Sequence, residues 1–300
     1  MFKNRDIVCF LGDSITSNGM WIAEIYQYLR KKYEIKCYNC GVSGGITRKA
    51  DAFIYANCLC YNPDYVVTMF GINDIARWFY SKGMANVENR QQLLDEAMED
   101  HKKHYENIIN KINDSGAKPI MCIPTPYDEV NDYEEENLFC QFRMDEAIEF
   151  QKSLAKKYDI PVIDFNSFMQ PMLTTHKIIN EDRIHPTDFG HHVMAQVFLN
   201  SIGEKDDIDY DTPFIMEEWN KKRKDAEARY KPMDYVEFCD IFDLGWALDK
   251  TNDEKRAIVK ERYDKWEDKT QYIPASYKLY MDNIDFRQKL VGEVVKLTIF

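Results

Sequence analysis

The stretch that decides the fold is Ile7–Ser14, which reads IVCFLGDS. Its first five residues are all apolar, without the polar alternation of a half-exposed strand, and this pattern is typical of a strand buried on both faces of a parallel sheet. A glycine, an acidic residue and a serine follow at once, so the strand is expected to end in a tight turn at the start of a helix. Ser14 is therefore predicted at the carboxyl end of a buried strand, which is where ligands bind in open α/β sheets.

The first two-thirds of the chain repeats this alternation of short apolar runs and helical patterns. Apolar and β-branched runs predict strands at Ile7–Leu11, Ile35–Asn39, Tyr65–Phe70, Lys118–Ile123 and Pro161–Phe165. Apolar residues at helical spacing predict helices at Met20–Lys32, Thr47–Leu59, Asn89–Asp114, Asp145–Tyr158 and Pro186–Leu199. The last of these opens on a proline, which suits a first helical turn. The alternation predicts an α/β fold, a three-layer α/β/α sandwich with a five-stranded parallel sheet in the flavodoxin-like order 2-1-3-4-5.

The sequence pattern changes near residue 205. Helical segments recur at Phe214–Tyr230 and Asn252–Lys269 without clear strands between them, and a short strand is expected at Glu293–Phe300. We predict two parts: residues 1–204, which hold every motif described below, and residues 205–300, a mainly helical, aromatic-rich C-terminal extension. The extension is expected to pack on the core or across a dimer, and in the second case the protein is a homo-oligomer.

Charge and hydropathy exclude several classes of partner. The 300 residues include 51 acidic and 39 basic side chains, which give a formal net charge of −12. Proteins that bind nucleic acids or anionic membranes need a basic surface, so neither partner is expected. No apolar run approaches the roughly 20 residues that span a bilayer. The N-terminal apolar run is too short and too close to charged residues for a signal peptide, which predicts a cytoplasmic protein.

Two interpretations apply to the N-terminal cysteines. Cys37 and Cys40 form a Cys-x-x-Cys pair, and Cys58 and Cys60 follow, so the four could hold a zinc ion. The spacing of the second pair is tight for a zinc knuckle, and several cysteines lie in apolar runs where they behave as small hydrophobic residues. Reduced core thiols are the better interpretation, and no metal is expected.

A pair of histidines in a predicted helix has the spacing of one helical turn. His101 and His104 are surrounded by the charged residues Asp100, Lys102 and Lys103. We therefore predict a solvated helix face at these positions and not a metal site.

Polar motifs follow the first three predicted strands, and a fourth motif precedes the last predicted helix. They are Gly12-Asp13-Ser14, Gly41-Val42-Ser43-Gly44-Gly45, Gly71-Ile72-Asn73-Asp74 and Asp182-Arg183-Ile184-His185. Each motif alone could be a turn, a flexible connection or a helix cap. In the order 2-1-3 the three strands are neighbours, so their loops meet at one edge of the sheet. Together the motifs predict one site at that edge.

The residue types in these motifs suit acyl transfer. A serine hydroxyl such as that of Ser14 is a weak nucleophile until a neighbouring base takes its proton, and the imidazole of His185 titrates in the right range. Asp182 can fix the imidazole tautomer and stabilise the imidazolium. The backbone amides of Ser14 and Gly44 and the side-chain amide of Asn73 could stabilise an oxyanion.

The four motifs resemble the four sequence blocks of the SGNH (GDSL-type) hydrolases, over about residues 5–200. The resemblance implies a flavodoxin-like esterase, lipase, acyl-thioesterase or carbohydrate deacetylase that works without a metal or other cofactor. It implies that Ser14 is the nucleophile, His185 the base and Asp182 its orienting partner. It also implies an oxyanion hole made by Ser14, Asn73 and Gly44, with the adjacent Gly45 as the alternative. The residues after His185 are more similar to the carbohydrate-esterase-like branch than to the phospholipase branch.

These observations favour a serine esterase that acts on a small-molecule ester, with acetyl groups on a carbohydrate as the expected substrate. Asp13, Arg77 and Trp78 are the candidate substrate contacts, although Arg77 could instead cap a helix or cover Trp78. One alternative is a cytoplasmic acyl-thioesterase or lysophospholipase, which would need an apolar acyl channel. Another is a non-catalytic binding protein, since a fold does not dictate a function.

Overall fold

The structure is a computed structural model that describes residues 1–81, 84, 86–133 and 139–209. Its centre is a five-stranded sheet in the order β2-β1-β3-β4-β5. The strands are β1 Ile7–Gly12, β2 Lys36–Gly41, β3 Tyr65–Met69, β4 Lys118–Ile123 and β5 Val162–Asp164. Every pairing in the sheet is parallel. The predicted strands, strand order and flavodoxin-like wiring are confirmed.

Seven α-helices and three short 3-10 helices lie in the described part of the chain. The α-helices are α1 Ser14–Asn18, α2 Met20–Leu29, α3 Thr47–Asn57, α4 Arg90–Asp114, α5 Cys140–Tyr158, α6 Phe165–Met169 and α7 Asp188–Ser201. The 3-10 helices are Leu59–Tyr61, Arg77–Tyr80 and Gln170–Thr174. None of the helices in these ranges combines the length and the apolarity that crossing a bilayer requires.

Several helix boundaries differ from the sequence-based prediction. The last helix begins at Asp188 and not at Pro186, because Thr187 is its N-cap and its hydroxyl accepts from the Gly190 amide at 3.1 Å. Helix α5 begins at Cys140, five residues before the predicted start. The turn after β1 leads into a helix as predicted, but α1 is a separate five-residue helix that the predicted helices do not include, because a single turn is too short to show a hydrophobic period.

Helices cover both faces of the sheet. Side chains of a strand alternate between the faces, so Phe10 and its register partner Val67 point to one side and Thr68 to the other. On the first side, Phe10 contacts aromatic rings of α2 and α7 at centroid distances of 5.3 and 5.9 Å, and α2 packs on α7. On the second side, the Thr68 hydroxyl bonds the Tyr105 hydroxyl of α4 at 3.0 Å, and α4 packs on α5. These contacts produce the predicted three layers.

The carboxyl ends of the three neighbouring strands β2, β1 and β3 lie at the same level. Gly12 pairs with Gly41 of β2 and with Met69 of β3, so β1, β2 and β3 release their loops side by side. Only glycine fits at position 12, because a Cβ atom there would lie 2.2 Å from Thr16 Oγ1 and 2.8 Å from the Met69 carbonyl oxygen. This close approach brings the start of α1 tightly against the edge of the sheet.

Most of the predicted C-terminal extension lies outside the described residues. Its helical character, the division between residues 1–204 and 205–300, and the homo-oligomer through the extension stay predictions.

The cysteines at positions 9, 40, 58, 60, 122 and 140 are buried, as the core-thiol interpretation expects. Burial raises the pKa of Cys37 to about 12, so its thiol keeps its proton at neutral pH.

Candidate active site

Ser14 lies at the carboxyl-terminal edge of the sheet, as its position after β1 predicts. It is the first residue of α1, and the side chain of Asp13 caps the helix by accepting from the Ile15 amide at 2.9 Å. The Ser14 backbone amide therefore belongs to the first turn, where N–H groups have no acceptor within the helix. The cap places a hydroxyl and a first-turn amide donor of the same residue at one point.

His185 and Asp182 reach Ser14 from the opposite end of the described chain. The Ser14 Oγ atom lies 2.8 Å from His185 Nε2, and His185 Nδ1 lies 2.6 Å from Asp182 Oδ2. Because Nδ1 faces a carboxylate, the imidazole carries its proton there and leaves the Nε2 lone pair to accept from the serine hydroxyl. The three side chains form one continuous chain of hydrogen bonds.

The environment of the pair favours a charged Asp182 and a basic His185. Partial burial acts to raise the pKa of Asp182, but hydrogen bonds from the His185 ring and from the amides of Ile184 and His185 lower it to about 2. The hydrogen bond to Asp182 raises the pKa of His185 against the opposing effect of burial. The charge of Asp13 adds to this rise, and that of Arg77 opposes it. An imidazole in this setting accepts a proton readily near neutral pH.

Asn73 and the glycine loop lie next to each other in the structure. The Asn73 side-chain amide is buried and donates to the Gly45 carbonyl at 3.1 Å, which leaves its second N–H for another acceptor. The Gly45 amide is already used, because it donates to the Val42 carbonyl at 2.9 Å. Gly44 has φ +67° and an open side where a Cβ would be, so of the two glycines it is the better candidate for an oxyanion donor.

A buried carboxylate ties this glycine loop to Asn73. Asp74 Oδ1 accepts from the backbone amide of Thr47 at 2.7 Å and from its hydroxyl at 2.5 Å, and His101 Nδ1 lies 3.2 Å away. Burial acts to raise the pKa of Asp74, but the neighbouring His101 and the Thr47 hydrogen bonds lower it overall. Asp74 directly follows Asn73 in the chain. Its bonds to Thr47 therefore fix the start of α3, just after Gly45, next to Asn73.

The predicted solvated face at His101 is wrong. The side chain of His101 is buried behind the site, where its Nε2 atom lies 3.2 Å from Gln151 Nε2. The charged neighbours in the sequence concealed this position. The signal available in the sequence was the helical spacing of His101 with Leu94, Met98, Tyr105 and Ile108. All five residues are buried in the structure.

The three predicted substrate contacts lie in different environments. Asp13 is 1% exposed and burial raises its pKa to about 7, so it acts as a helix cap and not as a surface for substrate. Arg77 is half-buried on the 3-10 helix that follows the Asn73 loop, near enough to His185 to influence its protonation. Trp78 is 49% exposed on the same helix, so its ring is accessible to a ligand.

A family model described as GDSL-like Lipase/Acylhydrolase matches residues 8–198. The acetylxylan esterase of Geobacillus stearothermophilus is 26% identical over 219 residues, which cover 65% of this chain and 92% of that protein. An acetylxylan esterase of Xylanibacter ruminicola is 26% identical over 213 residues, which cover 65% of this chain but 42% of that protein.

Two solved structures have a similar fold. A gut microbial diltiazem-metabolizing enzyme superposes with a TM-score of 0.61 at 24% identity, over 68% of this chain and 48% of that one. A catalytic mutant of the Geobacillus stearothermophilus acetylxylan esterase superposes with a TM-score of 0.57 at 22% identity, over 68% of this chain and 97% of that one. The chain thus spans less than half of the gut microbial enzyme and nearly all of the esterase.

Proposed function

Because the chain belongs to the GDSL-like lipase/acylhydrolase family of ester-hydrolysing enzymes, we propose that it is a serine esterase that removes acetyl groups from a carbohydrate. The observation that carries this proposal is the chain of hydrogen bonds from Ser14 through His185 to Asp182, at 2.8 and 2.6 Å. A hydroxyl paired with an oriented imidazole is the arrangement that nucleophilic serine catalysis needs.

In the proposed first step, the Ser14 oxygen forms a bond to the carbonyl carbon of the ester while His185 Nε2 takes the hydroxyl proton. The carbonyl oxygen becomes an oxyanion, which accepts from the backbone amides of Ser14 and Gly44 and from the Asn73 side chain. The imidazolium is stabilised by the charged Asp182. The carbon–oxygen bond to the alcohol then breaks, and His185 returns its proton to the leaving alkoxide.

In the second step, water hydrolyses the acyl-enzyme. His185 takes a proton from the water as its oxygen adds to the acyl carbon, and the same donors hold the second oxyanion. The bond to the Ser14 oxygen breaks, the serine recovers its proton from His185, and the carboxylic acid leaves. Each step uses His185 once as a base and once as an acid.

Three observations support a serine mechanism that acts on an acetylated carbohydrate. The two curated relatives are acetylxylan esterases. The Geobacillus enzyme has been solved as catalytic mutants in which a serine, a histidine or an aspartate is replaced by alanine, so it uses the same three residue types. In this chain, the exposed ring of Trp78 and the neighbouring Arg77 guanidinium are suited to stack on a sugar and to donate to its hydroxyl groups.

The substrate class is tested by measuring kcat/KM on acetylated xylo-oligosaccharides and on p-nitrophenyl esters of increasing acyl length. The proposal predicts release of acetate from the sugar and a maximum at the two-carbon ester. A maximum beyond about eight carbons would instead favour the thioesterase or lysophospholipase alternative. An absence of turnover on every ester and thioester would favour the non-catalytic alternative.

The cytoplasmic location stays a prediction that fractionation of the source cells would test.

A further inference from the structure

Arg183 stands between the two members of the Asp182–His185 pair and has an unusual backbone conformation. Its φ angle is +67°, in the left-handed region that residues with a side chain seldom occupy, and its side chain is 3% exposed. The residues on both sides of it are joined by a hydrogen bond, because the Ile184 amide donates to Asp182 Oδ1 at 3.0 Å. A buried arginine in a left-handed turn persists only when the surrounding contacts hold it there.

The contacts that hold Arg183 come from the loop between β4 and α5. One guanidinium nitrogen, Nη1, donates to the carbonyl oxygens of Asp128 and Asn131, each at 2.8 Å. The other, Nη2, donates to the carbonyl oxygen of Tyr133 at 3.1 Å, and the guanidinium lies 5.2 Å from the Tyr133 ring centroid. The backbone closes the contact, because the Asp128 amide donates to the Arg183 carbonyl at 2.9 Å.

The loop also has hydrogen bonds of its own that do not involve Arg183. The Asp128 carboxylate turns back into its own loop, where it accepts from the amides of Val130 and Asn131 at 3.0 and 3.1 Å. It also accepts from the Asn131 side chain at 2.8 Å. Asp128, Asn131 and Tyr133 each offer Arg183 a backbone carbonyl as acceptor. A planar guanidinium can donate to several fixed carbonyls at once, whereas the single ammonium group of a lysine cannot reproduce that geometry.

We propose that Arg183 is a positioning residue for the reaction: it clamps the turn from Asp182 to His185 onto the β4–α5 loop and thereby holds the imidazole against Ser14. The inference rests on the proposed function, because it concerns the same three side chains. Asp182 Oδ1 accepts from the amides at both 184 and 185, so a change in the left-handed turn moves the carboxylate and the imidazole together. A displacement of about 1 Å in such a group can lower the rate about 100-fold.

The alternative is that Arg183 stabilises the protein without affecting the catalytic geometry. Arg143 provides a matched control, because it is also a buried arginine that donates to a backbone carbonyl, that of Leu94 at 2.7 Å. It also pairs with Asp95 at 3.0 Å, and all these contacts lie between α4 and α5. Among the described residues, no hydrogen bond or ion pair joins Arg143 to the Asp182–His185 turn. Arg143→Lys therefore reports what the loss of a buried guanidinium does to stability alone.

The experiment compares Arg183→Lys, Arg183→Gly and Arg143→Lys with the wild type. Arg183→Gly accepts the positive φ angle without strain, so it removes the clamp and keeps the turn possible. We expect both Arg183 variants to lower kcat by about 100-fold while KM changes by less than about twofold. We expect Arg143→Lys to lower the melting temperature and to keep kcat within about twofold.

A second readout does not depend on turnover. NMR titration of the His185 ring, assigned with His185→Gln, should give a raised pKa in the wild type and a pKa nearer the ordinary value of about 6.5 in both Arg183 variants. An unchanged His185 titration in folded Arg183→Gly would overturn the proposal. So would a loss of kcat in Arg183→Lys no larger than that in Arg143→Lys. If the wild type fails to hydrolyse any ester, the proposed function fails, while the NMR titration still decides the role of Arg183.

Discussion

Ser14 Oγ and His185 Nε2 lie 2.8 Å apart although 171 positions separate them in the chain. The contact exists because β1 lies inside the sheet, between β2 and β3, and the turn before α7 comes back over its carboxyl end. Local sequence preferences around Ser14 and His185 cannot bring the two side chains together. The contact therefore depends on the whole parallel sheet. The chemistry of the site and the stability of the fold are therefore linked.

Replacing the carboxylate of Asp182 should impair the base without unfolding the protein. Asp182→Asn keeps the size of the side chain but can present an N–H to His185 Nδ1, which favours the wrong imidazole tautomer. We expect kcat to fall by about 10³- to 10⁴-fold. Steady-state kinetics on an acetyl ester, with circular dichroism as the folding control, measures this. Activity within tenfold of the wild type would mean that Asp182 does not orient the imidazole.

Removing the Asn73 amide should weaken stabilisation of the oxyanion. Asn73→Ala is expected to lower kcat by about 10²- to 10³-fold with little change in KM, because the amide acts on charge that develops only in the transition state. Gln92→Ala, on the exposed side of α4, is the control for loss of an amide and should leave kcat unchanged. Equal rates for the two variants would exclude Asn73 from the oxyanion hole.

The pH dependence of kcat/KM should report the raised pKa of His185. The base must be neutral to accept a proton, so activity should rise with pH through the folded-state pKa, and the midpoint should lie above the ordinary value of about 6.5. The hydrogen bond from Asp182 is the main cause of the rise, so Asp182→Asn should move the midpoint to lower pH. A midpoint that stays in place in this variant would assign the titration to another group.

Asp13 should make stability depend on pH. Burial raises its pKa to about 7 in the folded protein, whereas an unfolded chain releases the proton near pH 4. The free energy of unfolding should therefore fall as pH rises from about 4 to about 7, and the loss should remain at higher pH. Asp13→Asn keeps an oxygen to cap α1 but carries no charge.

Thermal unfolding of Asp13→Asn should show a gain in melting temperature that is larger at pH 8 than at pH 5. Asp114→Asn, at an exposed position at the end of α4, is the control for removing one negative charge. A gain that is the same at both pH values, or that the control reproduces, would show that Asp13 is not the buried titrating group.

The Thr47 hydroxyl should contribute to stability and to catalysis. Thr47→Val leaves the buried Asp74 carboxylate without one of its donors, which is expected to cost about 1–3 kcal/mol in urea unfolding and to lower kcat by moving the glycine loop. Thr125 is the matched control, because its buried hydroxyl has no hydrogen-bond partner among the described residues, so Thr125→Val should cost little. Similar losses for the two variants would show that the contact with Asp74 does not carry the effect.

The sequence predicted those parts of the fold that have a strong local signal. The apolar run ending at Gly12 and the β-branched run at Tyr65–Met69 identified the central strands, and their alternation with helices gave the strand order. The start of α2 at Met20 was predicted, but the separate helix α1 was not, because its end depends on Gly19, whose φ of +78° ends one helix and starts the next. A single glycine in a helical pattern does not by itself reveal that role.

The supporting contacts of the site could not be predicted. Asp13 has the sequence position of a substrate contact, and only the structure shows that its side chain turns inward to cap α1. The clamp at Arg183 consists of bonds to backbone carbonyls, and every residue type has a carbonyl, so the loop at 128–133 carries no side-chain signature of it. Long-range polar contacts of this kind become visible only when the chain is folded.

The central claim is that Ser14 is a nucleophile activated by His185. The most direct measurement is labelling of the full-length protein with a fluorophosphonate near neutral pH, followed by mass spectrometry to locate the modified residue. The account predicts a phosphonylated Ser14 in the wild type, no labelling of Ser14→Ala and much slower labelling of His185→Gln. Labelling at another residue, or none at all in the folded wild type, would contradict it.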